Sequence, residues 1–231
     1  MDSPADVTLV AHSTIRRRIA RHMVEASAAA AHAYAMIDVD YSTVAEVRRR
    51  RKLSYLPFVT RAVAIGIEQY PYLNGRFTDH GLEVAHEVRM GIAVDLNFQG
   101  LIVPVISHAE KLSVPEFAVE IKELAARAHA GKLRNENITG GTVTVSNPGP
   151  YGARRTLPII NHPQVAILTV DAVEPRPAVD GDSVVVRPIG NLTLAWDHRA
   201  FDGAYATSAL AAIRTTLQSH DWETEFEGVP A

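Results

Sequence analysis

Two short runs hold the residue types that could do chemistry. The first, Trp196-Asp197-His198-Arg199-Ala200-Phe201-Asp202-Gly203, places a histidine directly after a strand-like stretch and an aspartate four residues later. Imidazole exchanges protons near neutral pH, which makes His198 a candidate general base, and a strand end is a rigid support from which to project it. Asp202 can hold the loop by charged hydrogen bonds, and Gly203 lets the backbone turn before a helix starts. The residues alone leave two other readings open. His198 could be an ordinary surface residue in a capped loop, or one half of a His–Asp metal pair. No third ligand cluster lies nearby in the sequence, which counts against a metal.

The second run, Gly140-Gly141-Thr142-Val143-Thr144-Val145-Ser146-Asn147-Pro148-Gly149, delivers a serine from a strand into a turn. The Ser146 hydroxyl could donate a hydrogen bond to a developing oxyanion. No G-x-S-x-G pattern surrounds it, so it is not a hydrolase nucleophile elbow. Ser-Asn-Pro-Gly is also good turn chemistry for structural reasons alone. The other histidines (His12, His22, His32, His80, His86, His108, His129, His162 and His220) form no metal-binding pattern, and no G-x-G-x-x-G or phosphate loop is present. The Arg48–Lys52 run could grip phosphate, but charge runs at helix ends are usually solvated.

Periodicity supplies the elements that must position these residues. Helices are expected over 13–31 (capped by Ser13 or Thr14), from Ser42 or Thr43 to Lys52, over 57–69 with Pro57 in the first turn, and over 115–130 and 203–218. Strands are expected over 33–41, 88–96, 101–106, 142–146, 165–170, 183–186 and 192–196, with Pro104 marking a bulge or an edge and Asp180-Gly181 a hairpin turn. The tail SHDWETEFEGVPA reads as loosely ordered. Helices interspersed with strands predict an α/β (α+β) two-layer sandwich, a mixed sheet flanked by helices.

Composition narrows the class. The 231 residues are 47% hydrophobic and 21% charged with a net charge of −3, too balanced for a dedicated nucleic-acid or membrane binder. There is no cysteine, so disulfides, thiolate metal sites and a cysteine nucleophile are all excluded. No apolar run reaches membrane-spanning length and the N-terminus lacks a signal-peptide stretch, which gives the expectation of a soluble, cytoplasmic protein. Lysine occurs only at 52, 111, 122 and 132. Few places remain for a lysine-linked swinging arm.

Five stretches in order resemble one family. TIRRRIARHMVEA, LSYLPFVTRAVAIGIEQYPYLNGRF, MGIAVDLNFQGLIVPVI, GGTVTVSNPGPYGARRTLPIINHPQVAIL and WDHRAFDGA look like the catalytic domain of dihydrolipoamide acyltransferase components of 2-oxo acid dehydrogenase complexes, of the chloramphenicol-acetyltransferase-like superfamily. The resemblance spans about residues 8–218, implying a single catalytic domain over 1–231 with no lipoyl or peripheral-subunit-binding domain. It implies that His198 deprotonates the thiol of coenzyme A or dihydrolipoamide, that Ser146 stabilises the oxyanion, and that Asp202 pairs with an arginine to fix the loop. That arginine would come from the first helix (Arg16, Arg17, Arg18 or Arg21). It further implies a homotrimer with the histidine from one chain and the serine from its neighbour, and no metal. The acyl-carrying lipoyl domain would be a separate carrier, since no lysine sits in an Asp-Lys-Ala turn. Pro148 stands where leucine is common, and ILTVDAVEPRP replaces a more glycine-rich continuation. Residues 48–53 look short for the family. The ending EGVPA, lacking the apolar residues that knit trimers into cages, predicts a free trimer. The alternatives are an inactive scaffold relative and a stand-alone acyltransferase with a different acceptor; keeping His198, Ser146 and Asp202 as a set favours an active enzyme.

Overall fold

Local chemistry sets where each helix begins and ends. The computed structural model describes residues 7–228. Ser13 caps α1 (Thr14–Ala29), its hydroxyl accepting from the Arg16 amide at 3.2 Å. α2 (Ser42–Arg51) ends where Lys52 turns left-handed, after which the Leu53 amide donates to the Arg48 carbonyl. α3 (Leu56–Gln69) carries Pro57 in its first turn, where its missing amide costs nothing. A Ser113–Glu116 capping box starts α4 (Val114–His129), and α5 (Gly203–Ser219) starts from Asp202.

The strands are β1 (His32–Asp40), β2 (Gly75–Thr78), β3 (Gly81–Val84), β4 (Met90–Ile92), β5 (Val94–Asp95), β6 (Leu101–Ile102), β7 (Val105–Ile106), β8 (Val143–Ser146), β9 (Ala166–Val170), β10 (Glu174–Asp180) and β11 (Ser183–Asp197). Seven form a mixed sheet in the order β1-β11-β9-β8-β4-β7, with β10 also on β11. The pairs β4–β8 and β8–β9 are parallel and the others antiparallel. β11 is the spine: it pairs with β10 over its first half and with both β1 and β9 over its second. β1 ends the order, and among the described residues no strand pairs with its outer edge.

Burial alternates along β1 as the pleat requires. Ala33, Ala35, Ile37 and Val39 join the main core, whereas Tyr34 and Met36 point away and stay exposed. The helical layer covers the first face, with α5 on β1 and β11 and with α3 packed on α5 and α4. On the second face Ile160 closes a small cluster with Ile167 and Ala195. This is the two-layer sandwich expected from the sequence. At the α3–α5 contact a Cβ on Gly66 would lie 2.6 Å from Ile213 Cγ1, so the helices approach as closely as a glycine permits.

Several segments differ from the sequence expectation, beginning with the strands expected over 88–96 and 101–106, each of which is split in two: β4 and β7 join the main sheet, and β5 and β6 pair in a separate two-stranded one. Residues 183–186 and 192–196 belong to one continuous strand, and its partner β10 escaped notice because Pro175 and Pro177 interrupt the strand pattern. Pro is tolerated there because β10 is bonded on only one side. The β2–β3 hairpin was also unexpected. The tail is not loose: Trp222 and Phe226 are buried against Phe58, and Glu223 pairs with Arg50 and Arg51. Arg48 stacks on Tyr55, so this arginine run braces the fold. Residues 1–6 and 229–231, including most of the ending read as cage-incompetent, lie outside the described residues.

Replacing Gly66 with alanine adds helix propensity but forces a methyl into Ile213; overpacking wins, and chemical denaturation should show a loss of about 1–2 kcal/mol. Unchanged or increased stability would mean that α5 shifts freely.

Candidate active site

β11 carries the chain to His198, and the residues around it are tied down. The His198 amide donates to the Ala31 carbonyl at 2.9 Å and the Asp197 amide to the Val165 carbonyl at 2.9 Å. Trp196 donates its indole N–H to the Phe201 carbonyl and stacks on the Phe201 ring. The His198 side chain itself is half exposed, with Nδ1 3.9 Å from Asp202 Oδ1. That distance is too long for a hydrogen bond, and Asp202 is 89% exposed.

The loop's charged anchor is a different aspartate from the one expected. Asp197, 2% exposed, accepts from the Ala31 amide, the Arg199 amide and Arg199 Nε and Nη2, the last at 2.6 Å. Arg199 also donates to the Ala29 carbonyl and lies over the Phe77 ring. Burial opposes the Asp197 charge, but the hydrogen bonds from Arg199 and Ala31 outweigh it and hold the carboxyl below its ordinary 3.8. Asp202 has no arginine within salt-bridge distance among the described residues, contrary to the expected pairing with a first-helix arginine. It occupies the N-cap position of α5 without a side-chain capping bond. Gly203 is not sterically required within the chain, since a Cβ there would meet only Trp196 at 3.8 Å.

Ser146 ends β8, half-buried, beside a groove of about 520 Å³ lined by Leu56, Ile92, Val94, Leu101, Ile121 and Pro148 among others. The loop after it is fastened by Asp171, a residue the sequence reading passed over. Asp171 is buried and accepts from the Thr156 hydroxyl at 2.6 Å and the Thr156 amide at 3.2 Å. The Ala172 amide donates to the Ala153 carbonyl, and a Cβ on Gly149 would clash with the Asp171 backbone at 2.9 Å. The available signal was that Asp171 lies in ILTVDAVEPRP, the stretch that replaces a more glycine-rich continuation.

One chain does not bring His198 and Ser146 together. Ser146 pairs with Thr169, and Thr169 with Thr193, which lies five residues before His198 on the outgoing strand. At about 3.3 Å per residue and about 4.8 Å per strand the two sit on the order of 20 Å apart, at opposite ends of the sheet. Among the described residues no group of three or more potential ligands could hold a metal.

Known proteins share this frame. The family model for 2-oxoacid dehydrogenases acyltransferase (catalytic domain) matches residues 4–224. The chain is 36% identical over 216 residues to the dihydrolipoyllysine-residue acetyltransferase component of the pyruvate dehydrogenase complex of Staphylococcus epidermidis, covering 89% of this chain and 50% of that protein. It thus spans about half the length of the curated relatives it matches. A probable dihydrolipoamide acetyltransferase from Listeria monocytogenes superposes with TM-score 0.88 at 32% identity, covering 99% of each chain. The Azotobacter vinelandii dihydrolipoamide acetyltransferase, studied for a serine, a histidine and an asparagine in its catalytic mechanism, superposes with TM-score 0.88 at 28% identity over 92% of this chain and 91% of that one. Chloramphenicol acetyltransferase, at TM-score 0.56 and 9% identity over 81% of this chain and 88% of that one, shares the fold.

The Asp197 anchor yields a measurable pH dependence. Asp197→Asn should cost about 1–3 kcal/mol at neutral pH, because Arg199 loses its ionised partner. Asp197 has a depressed folded pKa, so the stability it adds is full well above 3.8 and is lost as pH falls through the lower folded value. Wild-type and variant melting curves should therefore converge in acid. A gap that widens as the pH is lowered below 3.8 would contradict the assignment.

Proposed function

The chain belongs to the family of 2-oxoacid dehydrogenase acyltransferase catalytic domains, and from this we propose that two copies of it build one thioester acyltransferase site, with His198 from one and Ser146 from the other. The observation that carries the reading is the separation within a chain. A base and an oxyanion donor must both lie within about 3 Å of the reacting atoms, and two groups on the order of 20 Å apart cannot do so in one molecule. Two further observations support it. In the Azotobacter enzyme the serine and histidine are 52 residues apart and the asparagine follows four residues later, the same separations as Ser146, His198 and Asp202 here. Tyr34, Met36, Leu157 and Ile159 are exposed and apolar, as a surface covered by another copy would be.

The reaction moves an acyl group between coenzyme A and a dihydrolipoamide-type thiol. His198 takes the proton of the attacking thiol, raising its thiolate character, and the new S–C bond forms at the thioester carbonyl. The negative charge collects on the carbonyl oxygen, where the Ser146 hydroxyl donates a hydrogen bond. The old C–S bond then breaks and imidazolium returns its proton to the departing sulfur. Asp202 lies beside Nδ1 at 3.9 Å, and an asparagine stands at the same spacing in the Azotobacter enzyme. Neither reacting sulfur belongs to this cysteine-free chain. Residues 1–231 act as one catalytic unit, the homotrimer is the assembly that closes three such sites, and the acyl-bearing lipoyl arm comes from a separate carrier domain.

Subunit mixing tests the shared site. His198→Ala and Ser146→Ala should each lower turnover of acyl-CoA with dihydrolipoamide by about 10²-fold or more. Denatured and refolded together in equal amounts, they should recover about a quarter of wild-type activity, the share of interfaces that then join an intact histidine to an intact serine. No recovery in a mixed assembly of unchanged mass would refute the two-chain site.

A further inference from the structure

The rim of the Ser146 groove contains a residue that its own backbone disfavours. The turn Leu96-Asn97-Phe98-Gln99 closes with the Gln99 amide donating to the Leu96 carbonyl at 3.1 Å, and both central residues are left-handed, Asn97 at φ 54° and Phe98 at φ 64°. Such a turn takes asparagine readily at its first central position and calls for glycine at the second. Phenylalanine stands there instead, 80% exposed, so neither backbone preference nor burial accounts for it. Asp95 holds it in place: both carboxylate oxygens accept from the Phe98 amide at 3.2 Å, and Oδ2 also accepts from the Tyr151 hydroxyl at 3.3 Å. The two rings meet edge to face with centroids 6.1 Å apart, and both line the groove that leads to Ser146. A strained, exposed, tethered aromatic at the lip of a reaction groove has no structural purpose in the free chain. Its apolar face becomes useful when a ligand covers it.

We infer that Phe98, braced on Tyr151 through Asp95, is a specificity-determining residue that selects an uncharged, apolar acyl chain longer than acetyl in the Ser146 groove. The inference rests on the acyltransferase reading above and adds the class of acyl group. Ser146, the apolar side chains of Ile92, Val94 and Leu101 and the aromatic rim line one groove, so with the thioester carbonyl at Ser146 an acyl chain longer than acetyl has more of that apolar surface to cover. Among the described lining residues there is no arginine or lysine, the one carboxylate is Asp95, and the one imidazole, His129, has its Nε2 engaged with the Asp95 carbonyl at 2.9 Å. A carboxylate-ended acyl group such as succinyl would find no permanent counter-charge there and a like charge at the rim.

The test compares wild type, Phe98→Gly and Tyr151→Phe as full chains, with acetyl-, hexanoyl- and succinyl-CoA as donors and dihydrolipoamide as acceptor. Wild type should prefer hexanoyl over both others. Phe98→Gly should lower the hexanoyl-to-acetyl ratio of kcat/KM about tenfold while raising the melting temperature by about 2–4 °C, since glycine suits the turn. Tyr151→Phe keeps its ring but loses the tether, and should shift the ratio the same way by a smaller factor. An unchanged ratio in Phe98→Gly, a wild-type preference for acetyl or succinyl, or a fall in assembly mass on mutation (making Phe98 an interface residue) would overturn the inference. Calorimetric titration with hexanoyl-CoA separates it from the reading beneath it. If wild type turns nothing over but binds hexanoyl-CoA about tenfold tighter than Phe98→Gly does, the acyltransferase reading falls and the apolar-chain site stands. If it neither turns over nor binds, both fall.

Discussion

The register of β11 constrains every other placement in the molecule. One strand of 15 residues pairs with β10, β1 and β9, so shifting it by one residue would turn its buried side chains to the opposite face of the sheet. The same register fixes His198 at one end of the sheet. It fixes Ser146, through β9 and β8, at the other. Asp197 then locks the exit: a buried carboxylate gathers the Ala31 amide and the Arg199 guanidinium, tying the start of β1 to the end of β11. His198 is held firmly because the strand that delivers it is in fixed register and the loop that follows it is fastened by Asp197.

Rigidity at both ends explains a division of labour along the chain. Arg199 and Asp197 do the anchoring that the sequence assigned to Asp202, leaving Asp202 exposed next to Nδ1 as a source of charge. On the serine side Asp171 plays the corresponding part through Thr156, holding the turn that follows β8. Two buried carboxylates, Asp197 and Asp171, thus fasten the loops beside His198 and Ser146. Each is satisfied by several donors, the condition under which a buried charge is tolerable.

Much of this could be read from residue order alone, and the exceptions have physical causes. The five long helices follow from apolar spacing and from local signals such as the Ser13 cap and Pro57 in a first turn. His198 and Ser146 were visible because a polar residue ending an apolar run is a local signal too. The β11 spine was seen as two pieces because Arg187, Pro188 and Gly190 interrupt its apolar pattern where its partner changes from β10 to β1. The tail was misjudged because Glu223 and Glu225 look solvated until Arg50, Arg51 and Arg61 are brought to them from 160 or more residues away in sequence. Asp197 lost out to Asp202 because spacing from the histidine is visible in a sequence and burial is not.

The outer edge of β1 carries one more consequence. Nine residues of strand, with Tyr34 and Met36 displayed on the exposed face, offer unpaired backbone to whatever extended chain arrives first. Asp38 and Asp40 crowd the far end of that edge, with Arg155, Arg176 and Arg187 close by, and a strand of wrong sequence would have to dock among these charges. Among the described residues that edge is therefore guarded by charge at one end only, and an open strand edge of this kind is a template on which another extended chain can add.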